Sequence, residues 1–278
     1  MKTVLVPVEL HTQTASTLAT ASLLAKLFGS VVEGAYLRPA FAPPLGMEPA
    51  SAIVVPDVPF DDAAARTEAG ERFASELSAA GLARLGGRGE NGPGGFWDAA
   101  RVLDDELTGR YSRAFDVTVV GRPADRSGGP RMATLESALF ESGHPILIAP
   151  PTAPATMGRN VAIAWNGSTE TARTLAFSRP LLRLAESVTI LVGEDERPGP
   201  SGRRMQEHLA ANGIASELRV MNAASIRSGE AILAECNALG ADLLVKGAYT
   251  QSRLRQMIFG GATSSIIAKT EMPVLMAH

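Results

Sequence analysis

Short, β-branched apolar runs recur along the chain at 3–8, 31–37, 117–121, 145–149, 160–165, 187–193, 242–247 and 273–277, each closed by turn-forming residues. Their apolar character is continuous rather than alternating, which is the pattern of strands buried on both faces, as parallel strands covered by helices are. Between the runs the period lengthens to that of a helix. Residues 12–28 set Ala15, Leu18, Ala19 and Leu23 on one face, and 169–185 repeat the arrangement with Ala172, Leu175, Ala176 and Leu181. Pro180 is predicted to kink or divide the second of these helices, because it lacks a backbone donor. Further helices are predicted at 62–80, 97–112, 131–142, 201–212, 227–239 and 262–269, with weaker strands at 82–86 and 215–220. Ser168 and Ser225 are N-cap candidates, and Gly213 and Gly240 are C-cap candidates. Strands alternating with helices give an α/β fold class, with two doubly wound, five-stranded parallel sheets.

The sheets are two because the chain repeats itself. Displaced by 157 positions, Val4-Leu5-Val6-Pro7-Val8-Glu9 lies on Val161-Ala162-Ile163-Ala164-Trp165-Asn166, and the register holds as far as Ser30-Val31 over Ser187-Val188. Displaced by 126, Asp116-Val117-Thr118-Val119-Val120-Gly121 lies on Asp242-Leu243-Leu244-Val245-Lys246-Gly247; at 128, Pro145-Ile146-Leu147-Ile148-Ala149 lies on Pro273-Val274-Leu275-Met276-Ala277. A tandem repeat related by a pseudo-twofold follows, with domains at 1–150 and 156–278 and about thirty extra residues in the middle of the first. Pro150-Pro151-Thr152-Ala153-Pro154-Ala155 is the connector. The proline-rich stretch 38–60 has no period and reads as a long excursion, either a lid or an open loop.

Composition narrows the function classes. A formal charge of −3 leaves no basic face for a phosphate backbone, so no nucleic-acid partner is expected. No apolar run approaches the length needed to span a bilayer. The single cysteine, Cys236, lies on a helical pattern beside Leu233 and Ala234 and reads as a small buried apolar residue, in keeping with a reducing, cytoplasmic setting. His11, His144, His208 and His278 share no ligand spacing, and no nucleophile elbow or Cys–His pair is present, so neither a metal site nor a catalytic residue is expected.

In open parallel sheets, ligands bind beyond the carboxyl ends of the strands where strand order reverses. In the second unit those ends are Trp165-Asn166-Gly167-Ser168 and Lys246-Gly247-Ala248-Tyr249-Thr250, the latter leading through Arg253 and Arg255 to Gly260-Gly261-Ala262-Thr263 at a helix start. Bare glycine backbone, helix-start amides and hydroxyls together suit a polyphosphate, although Gly260-Gly261 is equally readable as a plain turn into the last helix. Asn166 is likewise readable as a turn residue. Trp97 and Trp165 read as core anchors, with Trp165, beside Asn166, the one candidate for stacking on a base.

These residues resemble the universal stress protein family. The likeness covers both halves outside the 38–60 excursion and is closest at 159–195 and 229–278, through Val161–Ser168, Ala241–Tyr249 and Met272–Met276. It implies the adenine nucleotide alpha hydrolase-like version of the fold, pairing through the last strands 145–149 and 273–277 within or between chains, a homodimer, and a stress-response regulator or binding module. ATP-binding members carry Gly, two residues, Gly, nine residues, then Gly and Ser or Thr. Gly247 and Gly260 stand at the first and third glycine positions, whereas Thr250 replaces the second and Gly261 replaces the hydroxyl residue. The family's base- or ribose-contacting aspartate maps onto Asn166, and onto Glu9 in the first unit. The implied ligand is ATP with magnesium, held in the second unit by Asn166, Gly247, Thr250, Gly260, Gly261, Ala262 and Thr263. In the first unit the phosphate positions become Met132 and Ala133, and Asp125 stands where an anion would approach, so that unit is expected to be empty of nucleotide. Alongside the nucleotide switch stand a nucleotide-free dimerisation or protein-interaction scaffold and a slow ATP phosphohydrolase.

Overall fold

The apolar runs form a parallel sheet because each is buried on both sides by helices. The computed structural model describes residues 1–38, 62–123, 128–194, 199–222, 224–248 and 261–278. The excursion beyond residue 38, together with Asp125, Thr250, Arg253, Arg255 and Gly260, lies outside the described residues. The strands are β1 (Thr3–Val8), β2 (Val31–Leu37), β3 (Ala83–Arg84), β4 (Gly94–Leu103), β5 (Val117–Gly121), β6 (Ile146–Ala149), β7 (Asn160–Ala164), β8 (Ser187–Gly193), β9 (Glu217–Met221), β10 (Leu243–Gly247) and β11 (Val274–Ala277). The helices are α1 (Thr14–Phe28), α2 (Ala63–Ala79), α3 (Asp105–Tyr111), α4 (Met132–Glu141), α5 (Thr169–Leu182), α6 (Gly202–Ala211), α7 (Gly229–Ala238) and α8 (Ala262–Lys269).

The two sheets expected from the repeat are joined edge to edge: among the described residues the strands form one eleven-stranded sheet in the order β3-β4-β2-β1-β5-β6-β11-β10-β7-β8-β9. Read inward from β4 and from β9, the two halves have the same winding, with β1 between β2 and β5 as β7 is between β8 and β10. Pairing is parallel except where the halves meet. There β6 and β11 run antiparallel, with Ile146, Leu147 and Ile148 opposite Met276, Leu275 and Val274. That single antiparallel contact is the pseudo-twofold, and it puts both last strands in the interior of the sheet rather than at an edge.

The alternation of β6 and β11 feeds two apolar layers. Leu147 and Leu275 enter the layer under α1, α2, α5 and α6, while Ile146, Ile148, Val274 and Met276 enter the layer under α4, α7 and α8. Both layers run through the junction. Residues 150–159, between the halves, carry neither helix nor strand and are held by the Ser16 hydroxyl, which donates to Pro150 O at 2.6 Å. Beside the junction, Arg122 Nη1 donates to Thr270 O at 3.0 Å and to Glu271 Oε1 at 2.8 Å.

One predicted helix is corrected. Residues 97–103 are rich in helix formers (Ala99, Ala100, Arg101, Leu103), yet they lie in β4, paired with β2 from Val31↔Gly94 to Leu37↔Leu103 with a register shift between Gly34 and Tyr36. The open edge of β2 overrides the local propensity. The helix starts only at Asp105, where the Asp104 carboxylate accepts from Leu107 N at 2.7 Å. The weak strand at 82–86 shrinks to the two-residue β3 outside β4, so the first half has six strands among the described residues. Two smaller corrections concern the second half. Ser225 opens a short 3-10 turn, and the cap of α7 is Ser228, which accepts from Ala231 N. Pro180 does not divide α5, since it falls in the last turn, and Ala176 O accepts from Arg179 Nε at 3.4 Å.

Candidate functional site

Strand order reverses at β7 in the second half, so the crevice lies between the carboxyl ends of β7 and β10. The chain leaves β7 through Trp165, whose indole is buried and donates from Nε1 to Pro200 O at 3.0 Å. It is a core anchor. Asn166 follows. Its Oδ1 accepts from Ser168 N at 3.1 Å and from Thr171 Oγ1 at 2.7 Å, while Gly167 takes a positive φ of 73°. Ser168 then caps α5 by accepting from Thr171 N at 3.2 Å. The acceptor expected to meet a base or sugar is therefore engaged inside this turn, leaving the Asn166 amide nitrogen as the group to offer a ligand.

Gly247 ends β10 directly under the first turn of α5. A Cβ there would stand 2.3 Å from Thr171 N and 2.6 Å from Thr171 Oγ1. Its missing side chain admits the helix. Through Thr171 the structure brings Gly247 and Asn166 together at one point, with α5 rather than open space over the glycine.

The other predicted residues, Gly261, Ala262 and Thr263, form the start of α8. Gly261 is the extended N-cap residue and supplies no side-chain cap, and among the described residues nothing lies within 4 Å of where its Cβ would be. Thr263 is buried, and its hydroxyl accepts from Lys246 Nζ at 2.9 Å; Lys246 also donates to Gly247 O at 3.0 Å. Lys246 thus links the end of β10 to the start of α8. Burial pushes its pKa down from 10.5 to about 8, with no charge among the described residues contributing. Spacing arguments built on glycines and hydroxyls passed over this lysine. The signal available was a charge inside the otherwise apolar run Leu243-Leu244-Val245-Lys246-Gly247.

The first half has a cleft at the equivalent point, lined in part by Val8, Glu9, His11, Thr14, Gly121 and Arg131. Arg131, the N-cap residue of α4, ion-pairs with Glu9 and, at 2.9 Å, with Asp105, and donates to Arg38 O at 3.0 Å. One guanidinium shared by two carboxylates does not offset burial at Glu9, whose pKa rises from 4.5 to about 7, with Asp105 adding to the rise. Burial, then Arg131 and Arg72, lower the pKa of His11 from 6.5 to about 4; its Nδ1 accepts from Gln13 N at 3.0 Å. Arg131 and Glu9 thus line the cleft beside the start of α4, whose N-cap residue, like that of α8, makes no side-chain cap.

Comparison with known proteins finds likeness in part of the sequence and in the whole fold. Residues 181–278 match the model of the universal stress protein family. The stress response protein NhaX of Bacillus subtilis (strain 168) is 38% identical over 47 residues, 17% of this chain and 28% of that protein, so the match spans well under half of the curated relative. Among solved structures, a universal stress protein from Archaeoglobus fulgidus DSM 4304 superposes with a TM-score of 0.72 at 18% identity, covering 99% of this chain and 95% of that one. The protein PA1789 from Pseudomonas aeruginosa PAO1 gives 0.59 at 14% identity, covering 100% of this chain and 92% of its own. At such identities the structures speak for the fold, along the whole chain.

Proposed function

We infer that this chain, a universal stress protein family member by its residues 181–278, is a stress-response regulatory module whose second half takes an adenine nucleotide with its phosphates at the start of α8. One observation carries the reading. The N-cap residue of α8 is an extended glycine with no side chain to cap the first amides, and among the described residues nothing lies within 4 Å of where its Cβ would be, an arrangement that suits an anion at the positive end of the helix. Gly261, Ala262 and Thr263 would hold the phosphates, with Gly260 and Thr250 of the connecting segment joining them by the family resemblance. Asn166 would meet the base or ribose through its amide nitrogen. ATP with magnesium is the ligand of choice. Gly247 is assigned a packing role in this reading, because Thr171 occupies its free side.

That same contact favours a second reading, in which the crevice is filled by α5 and the chain works as a nucleotide-free scaffold. Equilibrium dialysis of the purified chain against labelled ATP and magnesium separates the two. The regulatory reading expects saturable binding at one nucleotide per chain, and the scaffold reading expects none up to millimolar ATP. Labelled ADP appearing in the dialysate faster than in a protein-free control would identify the phosphohydrolase instead.

A further inference from the structure

Lys246 is only 8% exposed, on a strand whose other four residues are Leu243, Leu244, Val245 and Gly247. Its ammonium has three donors, of which two reach the neutral oxygens of Gly247 and Thr263. Among the described residues no carboxylate bonds to it, and the segment 249–260 contains no Asp or Glu in its sequence. A buried ammonium without a counter-charge is an unfavourable arrangement, tolerated where something else compensates.

The repeat supplies an internal control. At the displacement of 126 the equivalent of Lys246 is Val120, which is 4% exposed and packs in the apolar layer with Leu135 and Ile146. The fold thus accommodates an aliphatic side chain at this position, and the lysine answers a need the first half does not have. The direction of that need is set by Thr263, in the first turn of α8, next to the extended Gly261 N-cap, which has no side chain to cap the first amides. Ammonium, hydroxyl and helix start converge on one point, and all three are donors to an anion.

We propose that Lys246 is the specificity-determining residue of the second-half crevice: its ammonium contacts the phosphate chain of the ligand, so that the site selects a polyphosphate over the same nucleoside without phosphates. The proposal rests on the reading of the α8 start as the phosphate site. It gives that site a fixed cation, placed on the strand beneath the helix rather than in the connecting segment.

Isothermal titration of the full chain and of Lys246→Met with three probes (inorganic tripolyphosphate, ATP with magnesium, and adenosine) tests it. Circular dichroism and melting confirm that the variant is folded, as the Val120 comparison leads one to expect, and Lys246→Val serves if the methionine variant is not. Tripolyphosphate and ATP should each bind the variant at least about tenfold more weakly than the native chain, with adenosine unchanged. Equal ATP and tripolyphosphate affinities in both proteins would overturn the role of Lys246 and leave the nucleotide reading standing. Lysine-dependent binding of tripolyphosphate with no binding of ATP would keep the anion contact and remove the nucleotide. Loss of adenosine in parallel with ATP would make the lysine a structural element and overturn the proposal, as would no binding of any probe to the native chain. A second readout on the native chain is acylation of Lys246 by an activated ester, followed by mass spectrometry; tripolyphosphate should slow it, and an unaltered rate counts against the contact.

Discussion

The α-carbon of Gly247 faces the backbone nitrogen of Thr171 so closely that a Cβ on the glycine would lie 2.3 Å from it. Backbone cannot yield as a side-chain tip can, so Gly247→Ala must push the first turn of α5 off the sheet. We expect a loss of about 1–3 kcal/mol, the usual cost of overpacking. Gly261→Ala, where φ is −127° and no described residue lies within 4 Å of the added Cβ, should stay within about 0.5 kcal/mol of the native chain. Chemical denaturation of the two variants in parallel checks the contrast, and equal effects would contradict it.

Glu9 and His11 pull stability in opposite directions with pH. With its folded pKa raised from 4.5 to about 7, Glu9 keeps a proton that the unfolded chain has released, so it makes stability fall as pH rises from about 4.5 to 7. His11, lowered from 6.5 to about 4, is neutral in the folded chain while the unfolded chain holds the proton, so it makes stability rise between pH 4 and 6.5. Glu9→Gln should therefore gain on the native chain as pH is raised through its window. His11→Asn, which keeps an acceptor for Gln13 N, should lose ground through its own. Urea unfolding at half-unit pH steps reads both, and variants that track the native profile in parallel would refute the assignment.

Arg122 ties the halves together through two bonds of unequal worth. Thr270 is fully buried, so its carbonyl depends on the arginine, whereas the Glu271 side chain is 65% exposed and water can replace the ion pair. Arg122→Met is expected to cost about 1–2 kcal/mol. Glu271→Gln should cost under about 0.5 kcal/mol. Comparable losses from the two substitutions would show that the ion pair, not the carbonyl bond, holds the junction.

Cys236 is fully buried, and burial with the nearby Glu235 charge pushes its thiol up to about 12. In the folded chain it should resist a water-soluble disulfide reagent at neutral pH and react fully in denaturant. A fast reaction of the native chain would place the thiol at the surface and contradict the packing of α7.

Much of the fold was legible because the two-sided burial of parallel strands leaves continuous apolar runs, and because the halves repeat. The exception, β4, shows where that reading fails: Trp97–Leu103 is locally helix-forming, and only the neighbouring edge of β2 makes it a strand. The crevice was legible from the ends of β7 and β10, but the use of individual residues was not. Asn166 and Gly247 sit where the pattern put them, yet their acceptor and free space are both taken by Thr171, a relation between strand and helix that no linear spacing displays. Lys246 was readable only as a charge out of place. In the first half, Glu9 was recognisable by its position after β1, whereas its partner Arg131 stands 122 residues away in sequence.

The central claim is that the start of α8 is an anion site, and Gly261→Asp tests it most directly. An aspartate at an N-cap accepts from the first amides and favours the helix, while it sets a negative charge where the phosphates would lie. Melting and ATP titration of this one variant should therefore part company: an unchanged or higher melting temperature, with ATP binding lost. A variant that melts as the native chain does and binds ATP with undiminished affinity would contradict the account.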